Sequence, residues 1–247
     1  MLSLPTFSKA NDAESLIWRG GETRVLIRGE QTRNAYTVLL VSIDGDQSRG
    51  VPAPSEAGYY LLKGSIKISS RFGSHLLEEG CFINIPRYIP HDVEIGPEGA
   101  MFLTFLSPAA ESLWIDLEAA DLENSEDGQP VARAPIFCPK GAGERIEKMG
   151  VEHLLKIDLP RSGDAYSLSE INIPTECTIP RYYLPDLEEG IFLLQGSLRF
   201  TIGDQVEEVV PGTWANIPRG ISRSITNHGS IKAKALNFLG ASPATPL

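Results

Sequence analysis

Four histidines (His75, His91, His153 and His228) and three cysteines (Cys81, Cys138 and Cys177) are the side chains here best suited by type to hold a metal or attack a substrate. Their spacing supports little of that chemistry. A transition-metal site needs three or four convergent nitrogen, sulfur or oxygen donors, and no HxH or CxxC starts such a set. A nucleophilic thiol needs an activating base. Cys177 has none nearby in sequence, and Cys81, just after Gly80, reads as core. The acidic doublets Glu78-Glu79 and Glu207-Glu208 sit between apolar runs and read as solvated hairpin charges. No GxGxxG, no GxxxxGK[ST] and no Ser-His-Asp signature is present, so the usual phosphate loops and serine chemistry are not expected.

The elements that must position any site come from an ordinary globular composition. The 247 residues are 42% hydrophobic and 22% charged, with a formal net charge of −10. Such a field repels nucleic acid and anionic membranes, which leaves a small molecule as the expected partner. No basic segment followed by an apolar run opens the chain, and no stretch approaches the roughly 20 apolar residues of a membrane span. With three cysteines and no even framework, a reducing, cytoplasmic location is expected.

The chain repeats itself. NAYTVLLVSI (Asn34–Ile43) returns as DAYSLSEINI (Asp164–Ile173), EAGYYLLKGS (Glu56–Ser65) as EEGIFLLQGS (Glu188–Ser197), and FINIPR (Phe82–Arg87) as WANIPR (Trp214–Arg219). From Glu56 to Arg87 the copies keep a constant spacing of 132 residues, and the earlier pair is spaced by 130. Matches in this order mark a tandem duplication. Within each copy, short runs of Tyr, Val, Ile, Leu and Phe bounded by Gly, Pro and Asp predict many short strands, and so a sandwich or barrel. SIKIS and SLRFTI alternate as half-buried strands do. Phe72-Gly73 and Gly203-Asp204 are expected hairpin turns. Helix is predicted over Ser107–Glu123, opened by Ser-Pro, and a second short helix within GAGERIEKMGVEHLLKI. The expected division is one domain over 1–123, a linker over 124–140 that begins acidic and polar, and a second domain over 141–247.

Gly212, Pro218, Gly220 and Asn227, with Glu189 and Gly196 before them, stand in the spacing of the two signatures of the cupins. YSLSEINIP, VLIRGEQTRNAYTVLLVSI and FLTFLSPAAESLWIDL resemble more particularly the quercetin dioxygenase-like cupins. The resemblance covers nearly the whole chain outside the linker. It implies an all-β fold of tandem cupin barrels (double-stranded β-helix, or jelly-roll) with a few short helices, paired as an internal pseudo-dimer that leaves a homodimer open.

Cupins of this kind hold a divalent metal on three histidines and a glutamate, and here those positions are largely replaced. In the second barrel they fall on Tyr182, Leu184, Glu189 and Arg223. In the first they fall on or near Gly50 and Pro52, on Ala57, and on His91. Glu56 is one residue out, and a one-residue slip turns a strand side chain to the opposite face. No metal and no cofactor are therefore expected.

What the resemblance implies for the rest is a cavity sized for a small aromatic or polyketide-like molecule. Arg223 reads either as an anion holder, with Glu189 as its orienter or as a base, or as half of a buried ion pair filling the vacated site. Tyr182 is an acid to a substrate carbonyl or a wall residue. His91 with Tyr59 is an acid/base pair or a retained barrel contact. Leu184, Leu61, Ile191, Leu193 and Ile225 are expected to line the cavities. The expected function is metal-independent proton transfer (isomerisation, cyclisation or dehydration). The alternatives are a metal-dependent quercetinase-like dioxygenase with unusual ligands, and a binding protein without catalysis.

Overall fold

In a computed structural model, residues 4–18, 21–45, 47–49, 55–109 and 133–241 are described. They form two compact units. The first strand, β1 (Thr6–Lys9), lies in the unit that also holds 30–35 and 142–241. The other unit contains β2 (Glu14–Trp18), β3 (Gly21–Ile27), β4 (Thr37–Ile43), β5 (Gln47–Arg49), β6 (Glu56–Ser70), β7 (Gly73–Glu78), β8 (Phe82–Ile85), β9 (His91–Ser107) and β10 (Ile136–Cys138). Back in the first-named unit follow β11 (Glu144–Lys148), β12 (Val151–Ile157), β13 (Tyr166–Ile173), β14 (Thr178–Tyr182), β15 (Leu187–Gln195), β16 (Leu198–Ile202), β17 (Gln205–Val209), β18 (Thr213–Ile217), β19 (Arg223–Thr226) and β20 (Ala233–Ala241). We call the unit built on β2–β10 the first barrel and the other the second barrel.

In the first barrel, β6 and β9 run side by side along their lengths, and the sheet order is β10-β8-β6-β9-β4-β3-β2, with β5 on β9 and β7 on β6. Two register shifts in β6, at Leu61/Lys63 and Gly64/Ile66, bend it so that one strand serves both walls. Gly64 (φ 76°) and Gly99 (φ 75°) stand at that bend. In the second barrel the same path is cut into separate strands: β15 and β16 part at Gly196, and β19 and β20 part after Thr226. One sheet there runs β1-β18-β15-β20-β13-β12-β11, the other β14-β19-β16-β17.

The duplication is visible in the backbone. Asn34 and Asp164 have φ of 61° and 60°, Gly80 and Gly212 both 82°. Gly80 and Gly212 donate their amides to Leu61 and Leu193, at 2.9 Å in both cases. The signature glycine Gly220 (φ 77°) is matched in the first barrel by Tyr88, which keeps φ at 62° without being glycine. Each barrel has its own interior. Ala57, Tyr59, Leu61, Ile83 and Phe102 belong to the first, and Ile171, Ile191, Leu193, Phe200 and Ile225 to the second.

Three local expectations are corrected. The segment read as a second short helix is the hairpin β11–β12, with Lys148 paired to Val151 across Met149-Gly150. Both turn residues have positive φ, 54° and 75°, as a tight two-residue hairpin requires. Met rather than Asn at its first position hid the signal. The β6–β7 turn is Arg71-Phe72, because Gly73 already pairs with Ser70; Gly203-Asp204 does join β16 to β17. Ser107 does not cap a helix but ends β9 buried, and residues 110–132, where the rest of that helix and most of the linker were expected, lie outside the described residues. Among the described residues no helix is long and apolar enough to cross a membrane.

Candidate functional site

Tyr182 and Arg223 face each other across β14 and β19, and Glu189 projects from β15 toward both. Arg223 Nε and Nη2 donate to Glu189 Oε2 at 2.8 and 2.5 Å, and Arg223 Nη1 donates to the Ile221 carbonyl at 2.9 Å. The guanidinium lies over the Tyr182 ring, 4.4 Å from its centre. The Tyr182 hydroxyl donates to Glu189 Oε2 at 2.9 Å, and Asn237 Nδ2 from β20 donates to Glu189 Oε1 at 2.8 Å. Arg223 is fully buried and Glu189 nearly so. Burial, with the Glu189 charge beside it, raises the Tyr182 hydroxyl well above the ordinary phenol range.

Above this network lies a cavity with about 430 Å³ of empty space, part of it open to solvent. Its walls are aliphatic: Ile171, Ile179, Leu184, Ile191, Ile225 and Leu239. Its polar lining is Tyr182, Glu189 and Asn237, with His153 and Lys148 from the β11–β12 hairpin. Arg223 does not line it. Of the two readings of Arg223, the geometry matches the buried ion pair: its donors are turned to Glu189 and Ile221. Leu184, Ile191 and Ile225 line the cavity as expected, whereas Leu193 packs in the interior without lining it. His153 and Asn237 were not anticipated, because both lie on strands outside the cupin signatures. Alternation along β12 and β20 was the one sequence signal that pointed them inward.

The first barrel is built differently. Tyr59 and Leu61 point inward with Ala57, all buried. Tyr59 Oη and His91 Nε2 are 2.8 Å apart, and His91 Nδ1 is 2.9 Å from the Ile89 carbonyl. A carbonyl only accepts, so Nδ1 carries the proton and Nε2 accepts from Tyr59. Burial holds the His91 ring below its ordinary value and pushes the Tyr59 hydroxyl up. This neutral pair is enclosed by Ile83, Phe102 and Leu106, among others. Glu56 does turn to the opposite face. There it accepts from Arg133 Nη2 at 2.6 Å, Asn84 Nδ2 at 3.2 Å and the Arg87 amide at 3.3 Å. Glu188 repeats this in the second barrel, with the Arg219 amide at 3.3 Å.

His91 and His153 both titrate below the ordinary 6.5, chiefly because burial disfavours the imidazolium. Between the depressed value and 6.5 the unfolded chain binds a proton that the folded chain refuses, so stability rises with pH across that window and is lost as pH falls through it. Urea midpoints at about pH 5 and about pH 7 should show the loss on acidification, and His91→Asn should reduce it. Equal slopes in both proteins would remove His91 from the explanation.

No family model matches the sequence. No curated protein is significantly similar to it. Solved structures are similar in fold. An oxalate decarboxylase of Lactobacillus farciminis in a formate complex aligns at 16% identity over 96% of this chain and 86% of that one, with a TM-score of 0.73. A single-substitution variant of the Bacillus subtilis oxalate decarboxylase aligns at 14% over 98% and 78%, with a TM-score of 0.72. A third structure, concerned with the Mn(II) centres of the Bacillus subtilis enzyme, aligns at 14% over 99% and 79%, with a TM-score of 0.70. These neighbours bear on the two-barrel fold and not on the finer likeness to quercetin dioxygenases.

A manganese ion would need carboxylate, imidazole or water donors, and the second barrel does not fit one. The carboxylate of Glu189 is occupied by Arg223, Tyr182 and Asn237, and the other corresponding positions carry no imidazole. In the first barrel His91 is committed to Tyr59 and Ile89, and Gly50 and Pro52 lie outside the described residues. Among the described residues no three His, Cys, Asp or Glu side chains gather as a metal site would require. At this level of identity the comparison speaks for architecture alone, and the architecture of this chain is the tandem cupin jelly-roll, a bicupin fold.

Proposed function

We propose that the second barrel is the working site: it binds a small, mostly apolar molecule, aromatic or polyketide-like, and moves a proton on it without a metal. The observation that carries this is the cavity, whose aliphatic walls are interrupted by a few polar groups. That is the usual construction of a small-molecule site. Tyr182 and Asn237 spend donors on Glu189, so the floor offers acceptor oxygens to a ligand hydroxyl or N–H. Arg223 neutralises Glu189 from beneath and is a positioning residue. A neutral, acceptor-rich floor with aliphatic walls is a poor match for a small dianion, so oxalate is not the proposed substrate. Isomerisation, cyclisation and dehydration all need little more than a base and a water-poor cavity.

Metal-dependent chemistry is the second reading, favoured by the fold likeness to oxalate decarboxylases and by the histidine kept at position 91. Elemental analysis of protein purified without chelators or a histidine tag separates the two. Metal well below one ion per chain is expected; a near-stoichiometric transition metal would restore the second reading. A panel of small phenolic and polyketide-like compounds, incubated with the protein in D2O and followed by mass spectrometry, should then yield one that gains deuterium or rearranges. The rate should be unchanged by chelator. Saturable binding with no exchange across the panel would instead favour a binding protein.

A further inference from the structure

We propose that His153 is the catalytic residue of the second-barrel cavity, the group that takes and returns the proton. The inference rests on the reading above and assigns a role to a residue outside the cupin signatures. Its ground is a comparison of the polar groups that line the cavity. Glu189 is a carboxylate already accepting from Arg223, Tyr182 and Asn237. Both of its oxygens are thus taken up by donors, and a base needs a lone pair free to meet the substrate. Tyr182 keeps its one proton and donates it in a hydrogen bond to Glu189, and Asn237 does not titrate. His153 differs. It sits on β12 opposite Ile171 of β13, half-buried, and lines the cavity. Its Nδ1 lies 3.3 Å from Ser169 Oγ, and Nε2 has no hydrogen-bond partner among the described residues. Ser169 Oγ can accept as well as donate, and in the tautomer whose Nδ1–H donates to it, Nε2 carries the lone pair toward the cavity.

The charged and titratable groups around the ring are Lys148 of β11, Glu189 of β15 and Tyr182 of β14, with Glu152 next to it on β12 and ion-paired to Arg145. Burial first and the Lys148 charge second favour the neutral imidazole, and Glu189 opposes them. A neutral ring is the form a base needs near neutrality. The ligand class follows from the layout. It is a neutral molecule with a hydroxyl or N–H to bond the acceptor floor, and a C–H made acidic by a neighbouring carbonyl or ring heteroatom to meet His153.

A nitrobenzisoxazole tests this without knowledge of the natural substrate, because its ring opens on loss of one proton. The imidazole takes the ring C–H proton, and that bond's electron pair completes a nitrile. The N–O bond breaks with its pair on oxygen to give a coloured phenolate, and the imidazolium returns its proton to water. Binding is read separately from NMR shifts of the Ile171, Ile179, Ile191 and Ile225 methyls. The expected result is saturable ring opening by the wild-type chain, reduced about a hundredfold in His153→Gln with binding retained. A wild-type rate that rises with pH and levels off near 6.5 or below is expected too, and this needs no variant to fold. Equal turnover in His153→Gln, or a flat wild-type profile, would overturn the assignment while leaving the cavity reading intact. Unmoved isoleucine methyls would remove the cavity reading and the assignment together.

Discussion

Replacing Arg223 with alanine should cost about 3–5 kcal/mol of folding stability, the loss typical of breaking a buried ion pair from one side. Arg223 is wholly inside the second barrel and Glu189 is 3% exposed. Without the guanidinium the carboxylate would keep only Tyr182 and Asn237 as donors. Two neutral hydrogen bonds do not replace a bidentate cation in a medium that solvates charge poorly. The pair itself is a different matter. Exchanging both partners for apolar groups of similar volume is often neutral or stabilising, so Arg223→Met combined with Glu189→Leu should recover part of the loss, less what the Tyr182 and Asn237 donors give up. Urea unfolding of the two single variants and the double variant measures the coupling directly. An Arg223→Ala protein as stable as the parent would mean that Glu189 is reached by water, and that the floor of the cavity is not the closed network described here.

The second large effect is expected at Gly64, where the long strand β6 turns from one wall of the first barrel to the other. A Cβ built there would stand 2.0 Å from the Gly99 carbonyl oxygen, a backbone atom with no flexible side chain to yield. The residue also has φ of 76°. Left-handed backbone costs a non-glycine residue roughly 1–2 kcal/mol, and overpacking adds roughly 1–3, so Gly64→Ala should lose about 2–5 kcal/mol. Gly203 supplies the contrast: its φ is 59°, yet a Cβ there meets nothing within 4 Å. Gly203→Ala should therefore cost only the backbone share, about 1–2 kcal/mol. Thermal melts of the two variants side by side check the difference. Similar losses would assign the whole effect at Gly64 to φ and none to the close approach of the strands.

The fold was legible in the sequence because glycine, proline and register leave marks that survive substitution. Gly80 and Gly212, or Asn34 and Asp164, hold the same backbone in both copies, and the matched segments around them revealed the duplication. The position of Glu56 was legible for a related reason: side chains alternate along a strand, so one residue out of step meant the other face. Tyr88 shows the limit. It holds the left-handed conformation of Gly220 with none of its sequence signature. Site geometry was legible only in part. Alignment brought Tyr182, Glu189 and Arg223 together, but not the direction of the guanidinium, which depends on what else competes for Glu189. Asn237 settles much of that competition, and it sits on β20, far from any motif. His153 went unread because ERIEKMGVEHLLKI has charges at helical spacing, whereas Met149-Gly150 folds it as a hairpin.

One consequence concerns time rather than structure. β1 pairs with β18, Thr6 against Asn216 and Lys9 against Thr213, and Phe7 packs edge-on against Phe200 at 5.8 Å. During synthesis the four residues of β1 are made long before β18, the strand whose edge they complete. The second barrel therefore finishes only when β1, which precedes the first barrel in sequence, pairs with it. Contacts that span so much sequence slow folding. Until that pairing, an unpaired β18 edge stands open to any neighbouring chain. A nascent chain crowded by its own copies is most exposed at that moment.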